Sequence, residues 1–341
     1  MSLFFLLNLL AICTSCSKDA GGGSNPVVTP SNLVVAAVVN ADNSGNVNFT
    51  ASATNAATYE FDFGNGVFQT VPSGVVVYKY AASGTYSVNV IAKSSTGQTI
   101  SKGIAVTVTV AQSLVWADEF NVDGAPDPAK WGYDIGTGSN GWGNNESQYY
   151  TNRPVNVIVQ GGTLKINALK ENFSGSAYTS ARLLSKNKFS FKYGKVEVSA
   201  KLPTGVGTWP AIWMLGSNID VVSWPNCGEI DIMEHLGRDL NKIYGTLHYP
   251  GRSGSNANGA TKLITNATTQ FHKYSLDWTA ATIKIYVDDM LYFTFANSSA
   301  VPFNQNFFLI LNLAMGGNFA GPVDPAVTGA TLEIDYVRVY N

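Results

Sequence analysis

No stretch of this chain sustains a 3.6-residue apolar period, whereas short runs of period two recur along most of its length. In the first third they fall at residues 33–39, 46–51, 58–63, 74–80, 84–92 and 103–110. They are rich in β-branched and aromatic residues and are bounded by Gly, Asn or Ser. Further runs follow at 163–168, 194–201, 229–234, 242–248, 272–278, 282–287, 307–313 and 331–340. Regularly spaced short strands without helices predict an all-β chain of sandwiches. With 341 residues there is room for two cores: a small sandwich at 32–111 and a large one at 114–341. A large two-sheet sandwich can curve and hold a long ligand on its concave face.

Charged residues are only 13% of the chain and the formal charge is −2. No basic excess exists for nucleic acid, and the composition suits an extracellular protein that meets neutral polymers. Residues 1–15 form an apolar run shorter than the roughly 20 residues of a membrane helix. They read as the hydrophobic part of an export signal, without the usual positive start. Cys13-Thr14-Ser15-Cys16 resembles a bacterial lipoprotein cleavage site, which implies a lipid on Cys16. The alternative is a plain secretory signal with two incidental cysteines. Residues 16–31, rich in Gly, Ser and Pro, read as a flexible linker. The chain has three cysteines, so on the lipoprotein reading Cys227 has no partner and no disulfide is expected. The expected location is a bacterial cell envelope, at the outer membrane or cell surface, with secretion as the alternative. Membrane contact would be through the lipid alone, and the protein is expected to be a monomer.

Tyr59-Glu-Phe-Asp-Phe-Gly-Asn-Gly66, Tyr78-Lys-Tyr80 and Gly84-Thr-Tyr86-Ser-Val88 together resemble a PKD-type immunoglobulin-like domain. Such a domain could bind sugar. The absence of an aromatic row in the pattern favours a spacer.

Chemistry concentrates at Gly228-Glu229-Ile230-Asp231-Ile232-Met233-Glu234-His235. Alternation along a strand places Glu229 and Asp231 on one face. A β-bulge at Ile232-Met233 would return Glu234 to that face and turn His235 away. Three carboxylates side by side repel and are costly to desolvate, so an ordinary strand avoids them. Retaining glycosidases need such a pair, roughly 5–5.5 Å apart. A solvated acidic edge or a cation site is the plainer alternative.

The segment closely resembles the E-x-D-x-x-E signature of glycoside hydrolase family 16, in its laminarinase-like branch. Trp116-Ala-Asp-Glu-Phe120, Gly141-Trp-Gly-Asn-Asn-Glu-Ser-Gln-Tyr-Tyr-Thr151, Tyr178-Thr-Ser-Ala-Arg182, Gly207-Thr-Trp-Pro-Ala-Ile-Trp-Met-Leu215 and Asp335-Tyr-Val-Arg-Val-Tyr340 match further blocks in order. The resemblance implies a concanavalin A-like jelly roll. It also implies Glu229 as nucleophile, Glu234 as general acid/base and Asp231 as the assisting acid. It implies Trp209 and Trp213 lining the cleft, although a core role for either stays open. Trp142 and Asn144 in a Gly-rich loop read as a rim. Arg182 offers a donor fork to sugar hydroxyls, or is a surface arginine. His248 reads as a cleft residue, or a satisfied histidine of the sheet. No histidine pair has zinc-ligand spacing, and no cofactor is expected for the chemistry. One structural Ca2+ on Glu119, a carbonyl near Gly162 and Asp335 is implied by the family, with an Arg338 or Lys salt bridge as the alternative.

The expected activity is retaining, endo-acting hydrolysis of β-1,3-glucan, or of mixed β-1,3-1,4-glucan. The alternatives are a family 16 hydrolase of another β-linked polysaccharide, such as an algal galactan, and a non-catalytic glucan-binding surface protein.

Overall fold

The computed structural model describes residues 27–341, which form two compact units divided between Ala111 and Gln112. Cys16 and the export signal lie outside the described residues, as does most of the linker; the first strand begins at Ser31, within the stretch read as linker.

The first unit pairs a three-stranded sheet with a four-stranded one. Alternation works as predicted: Val47, Phe49 and Ala51 of Asn46–Thr54 point inward, and the intervening residues point out. Phe49, Phe61 and Phe63 fill the core, and the buried Tyr80 hydroxyl donates to the Phe63 carbonyl at 3.0 Å. The strand Phe68–Val71 was not evident from sequence, because three of its four residues are exposed and show no alternation.

The second unit stacks a ten-stranded sheet on a seven-stranded one. The seven run Asn258–Leu263, Lys242–His248, Glu229–His235, Thr208–Gly216, Phe307–Met315, Arg182–Leu184 and Gly132–Tyr133 in spatial order, all antiparallel. A single core of Val, Ile, Leu, Met and aromatic side chains lies between the sheets. Phe307–Met315 is buried on both faces, so it reads as a continuous apolar run. Helix is confined to short turns such as Gly317–Ala320. The acid strand is third in its sheet, flanked on both sides, which fixes its side chains firmly.

Candidate active site

The register around the acid strand contains the bulge. Asp231 faces Thr246 and Glu234 faces Tyr244, so Ile232 and Met233 together oppose Gly245 alone. On the other side Met233 faces Ile212 and Asp231 faces Trp213, again skipping Ile232. Ile230, Ile232 and Met233 are buried in the core. Glu229, Asp231 and Glu234 lie on the opposite face, away from the core, where they share neighbours.

Gly245 has a further task. A Cβ built there would lie 2.6 Å from the Tyr292 hydroxyl, which crosses the core from the other sheet to reach the Ile232 carbonyl at 3.5 Å. Only glycine leaves room for this tyrosine beneath the bulge.

Each outer acid has donors. Trp209 Nε1 donates to Glu234 Oε1 at 3.0 Å, and Thr246 Oγ1 donates to Oε2 at 3.3 Å. Trp224 Nε1 donates to Glu229 Oε2 at 2.9 Å. His248 Nε2 stands 3.2 Å from Asp231 Oδ2 and 3.7 Å from Glu229 Oε1. The first approach is close but misaligned, so Asp231 Oδ2 has no hydrogen bond.

All three carboxyls are held above the ordinary range. Burial, then the neighbouring Asp231, pushes Glu229 up to about 8. Burial, then Glu234, raises Asp231 well above its usual value. Burial raises Glu234, against the donors Trp209 and Thr246 that favour its charge. The cleft therefore keeps protons among its acids near neutral pH, and their titration is shared.

Glu229, Asp231 and His248 are close enough to hold a cation, with one ligand atom from each lying within 4.8 Å of the others. The backbone N–H of Gly254 donates to His248 Nδ1 at 3.1 Å. The neutral ring therefore carries its proton on Nε2, facing the acids, where a metal would need a lone pair. The trio as protonated here is therefore not set up as a cation site. His235 faces away, buried, with Nε2 against the Leu240 carbonyl at 3.1 Å.

Beside the acids runs a polar chain. Trp213 Nε1 donates to Asn312 Oδ1 at 2.7 Å, and Asn312 Nδ2 donates to the Tyr150 hydroxyl at 3.0 Å. Tyr150 donates to Glu146 Oε2, which also accepts from Gln148, while Asn144 donates to Glu146 Oε1 at 3.3 Å. The Arg182 guanidinium packs over the rings of both Trp142 and Trp213, 4.6 and 4.8 Å from their centroids. Its Nε is 3.0 Å from Asp134 Oδ2, and only 12% of the side chain is exposed, so it is no surface arginine. Trp142 sits in a left-handed turn at φ 56° with its Nε1 unpartnered. At Gly141 a Cβ would strike the Glu146 backbone nitrogen at 2.5 Å, so the turn requires glycine there.

Glu146, Tyr150, Trp224 and Asn312 were not singled out from sequence. For Trp224 a signal existed: a tryptophan before proline, in a loop five residues ahead of Glu229. Asn312 interrupts the apolar run of its strand and marks itself in the same way.

The calcium residues fare differently. Both Glu119 oxygens accept from Arg338, at 2.8 Å each, as the salt-bridge alternative had it. With its charge already balanced by Arg338, Glu119 does not fit the part of a free calcium ligand.

The family model described as Glycosyl hydrolases family 16 matches residues 144–338, and the PKD domain model matches residues 32–108. The chain belongs to glycosyl hydrolases family 16. Among curated family members it is 46% identical to a beta-glucanase of Rhodothermus marinus, over 67% of this chain and 84% of that protein. It is 38% identical to a glucan endo-1,3-beta-glucosidase of Cryptopygus antarcticus, over 66% of this chain and 90% of that one. The solved laminarinase of Rhodothermus marinus superposes with a TM-score of 0.65 at 45% identity, covering 68% of this chain and 98% of that structure. As a family 16 member the chain is a glycoside hydrolase with a jelly-roll catalytic unit and an N-terminal PKD domain.

Proposed function

We propose that this protein cleaves β-1,3-glucan internally with retention of anomeric configuration, Glu229 acting as nucleophile and Glu234 as general acid/base. The observation that carries the proposal is the bulge, which turns three acids to one face and gives the outer two different surroundings. Glu234, raised by burial and held by Trp209 and Thr246, suits a group that must give up a proton and take one back. Glu229 attacks the anomeric carbon as Glu234 protonates the leaving oxygen; Glu234 then draws a proton from the water that releases the sugar. Asp231, which tends to hold its proton, lies between them and assists. The indole faces of Trp209 and Trp213 suit the apolar faces of sugar rings, with Arg182, Trp142, Asn144 and His248 as polar partners. The names of the relatives support β-glucan as substrate.

The test is reducing-end release from a β-1,3-glucan by wild type and Glu229→Ser, with the anomer of the first product followed by NMR. Short oligosaccharides of β configuration from wild type, and none from the variant, are expected. First-formed α products would overturn retention. Cleavage of a galactan instead of the glucan would overturn the substrate. Binding without cleavage by both proteins would make the chain a glucan-binding surface protein. We also propose attachment to the cell envelope through a lipid on Cys16, with no nucleic-acid partner and a monomeric state. Recovery of Cys16→Ser in the membrane fraction would sink the anchor.

A further inference from the structure

We infer that Trp224 is a positioning residue for the nucleophile: its indole N–H grips one oxygen of Glu229 and leaves the other to attack. The inference rests on Glu229 being the nucleophile. Trp224 sits in the loop between Thr208–Gly216 and Glu229–His235. Local backbone hydrogen bonds close this loop, from Val222 to Asn218 at 2.9 Å, Asn226 to Ser223 at 2.8 Å and Gly228 to Pro225 at 3.1 Å. Gln305 ties its end by donating to the Cys227 carbonyl at 2.8 Å. The loop thus presents an indole that is 44% exposed, yet its one donor is spent on a carboxylate facing inward rather than on water.

That choice matters because the nucleophile is poorly placed to be charged. Its surroundings are low in water and contain two other acids, which push it up to about 8. A nucleophile must be ionised at the moment of attack. Among the described residues, Trp224 is the only side chain that donates a hydrogen bond to it. The imidazole of His248 is 3.7 Å from Oε1, too far for a hydrogen bond, and packs 5.8 Å from the indole. The geometry therefore distinguishes the two oxygens. Oε2 is held by the indole, and Oε1 accepts no hydrogen bond from a side-chain donor. An electron pair of Oε1 forms the bond to the anomeric carbon while the bond from that carbon to the leaving oxygen breaks, and that oxygen takes the proton of Glu234. Oε2 becomes the carbonyl oxygen of the glycosyl ester. Water then gives a proton to Glu234, its oxygen bonds to the anomeric carbon, and the pair of the broken ester bond returns to Oε1. The indole N–H binds a carboxylate more strongly than an ester, so it favours the charged nucleophile before the first step and the departing carboxylate in the second.

The test is the pH dependence of kcat/KM for Trp224→Phe, which keeps an aromatic wall and removes the N–H. The expected result is a loss of about ten- to hundredfold in kcat/KM at neutral pH. Its acid limb should move up by about one pH unit, with KM held within about threefold. Trp224→Gln, which carries an amide N–H, should return part of the acid limb. If Trp224→Phe does not fold, Trp224→Gln against Trp224→Met makes the same comparison. An acid limb that stays at the wild-type pH, with the loss confined to KM, would make Trp224 a sugar-stacking wall and overturn the inference. Glu229→Ala in azide separates the two readings. Formation of an α-glycosyl azide upholds the nucleophile whatever Trp224 does, and its absence removes the nucleophile and this inference with it.

Discussion

Replacing Glu229 by Gln should stabilise the catalytic unit at neutral and alkaline pH while destroying activity. Burial and Asp231 lift this carboxyl from 4.5 to about 8 in the folded protein. The folded protein thus holds a proton that the unfolded chain releases across that window. The stability contribution is fully present below about pH 4.5 and falls as pH rises toward 8. At about 1.4 kcal/mol per unit, the ceiling is about 5 kcal/mol. The side chain keeps 17% exposure toward the cleft, so water screens part of this. Shared titration with Asp231 spreads it further, which leaves about 2–3 kcal/mol. Glutamine keeps the acceptor for Trp224 and never charges. For a unit of this size the gain corresponds to about 5–10 °C in melting temperature at pH 7.5, shrinking toward zero at pH 4.5. Tryptophan fluorescence reads it cleanly, because all seven tryptophans lie beyond residue 112. A variant that melts with wild type at both pH values, or below it at pH 7.5, would refute the idea that this strand carries a desolvated, mutually repelling acid cluster.

Gly245→Ala places a methyl 2.6 Å from the Tyr292 hydroxyl, so about 1–3 kcal/mol of stability should be lost, with kcat falling more than KM as the bulge shifts. A wild-type melt and kcat would show that the tyrosine yields freely. Arg182→Lys exchanges a planar group stacked on Trp142 and Trp213 for a compact ammonium, so KM for oligosaccharides should rise about tenfold with kcat little changed. An unchanged KM would mean that the stack does not shape the sugar site. Cys227 is buried and its thiol is pushed up to about 11, so iodoacetamide at pH 8 should label it only after unfolding. Rapid labelling of the folded protein would contradict that burial.

The parts that were legible in the sequence are those written in a local pattern. Period two gives most strands, and the placing of Ile230, Ile232 and Met233 against Glu229, Asp231 and Glu234 can be argued only by allowing one extra residue in the strand. That extra residue is local too, since no other count turns all three acids the same way. What escaped depends on partners distant along the chain. Asn312 meets Trp213 across 99 positions, and Arg182 is stacked by rings 40 positions before it and 31 after. Only the fold could choose for Glu119 between calcium, which the family resemblance implied, and the Arg338 salt bridge, because the two residues lie 219 positions apart. Trp224 escaped for the opposite reason. It is close in sequence to Glu229, but in an irregular loop no periodicity says where a side chain points. Strand patterns therefore locate the acids, whereas the groups that tune them come from loops and from the neighbouring strands. Two strands with the same acid spacing can for that reason hold their carboxyls at different pKa values, and the indole of Trp224 is a contact that this strand alone would not give.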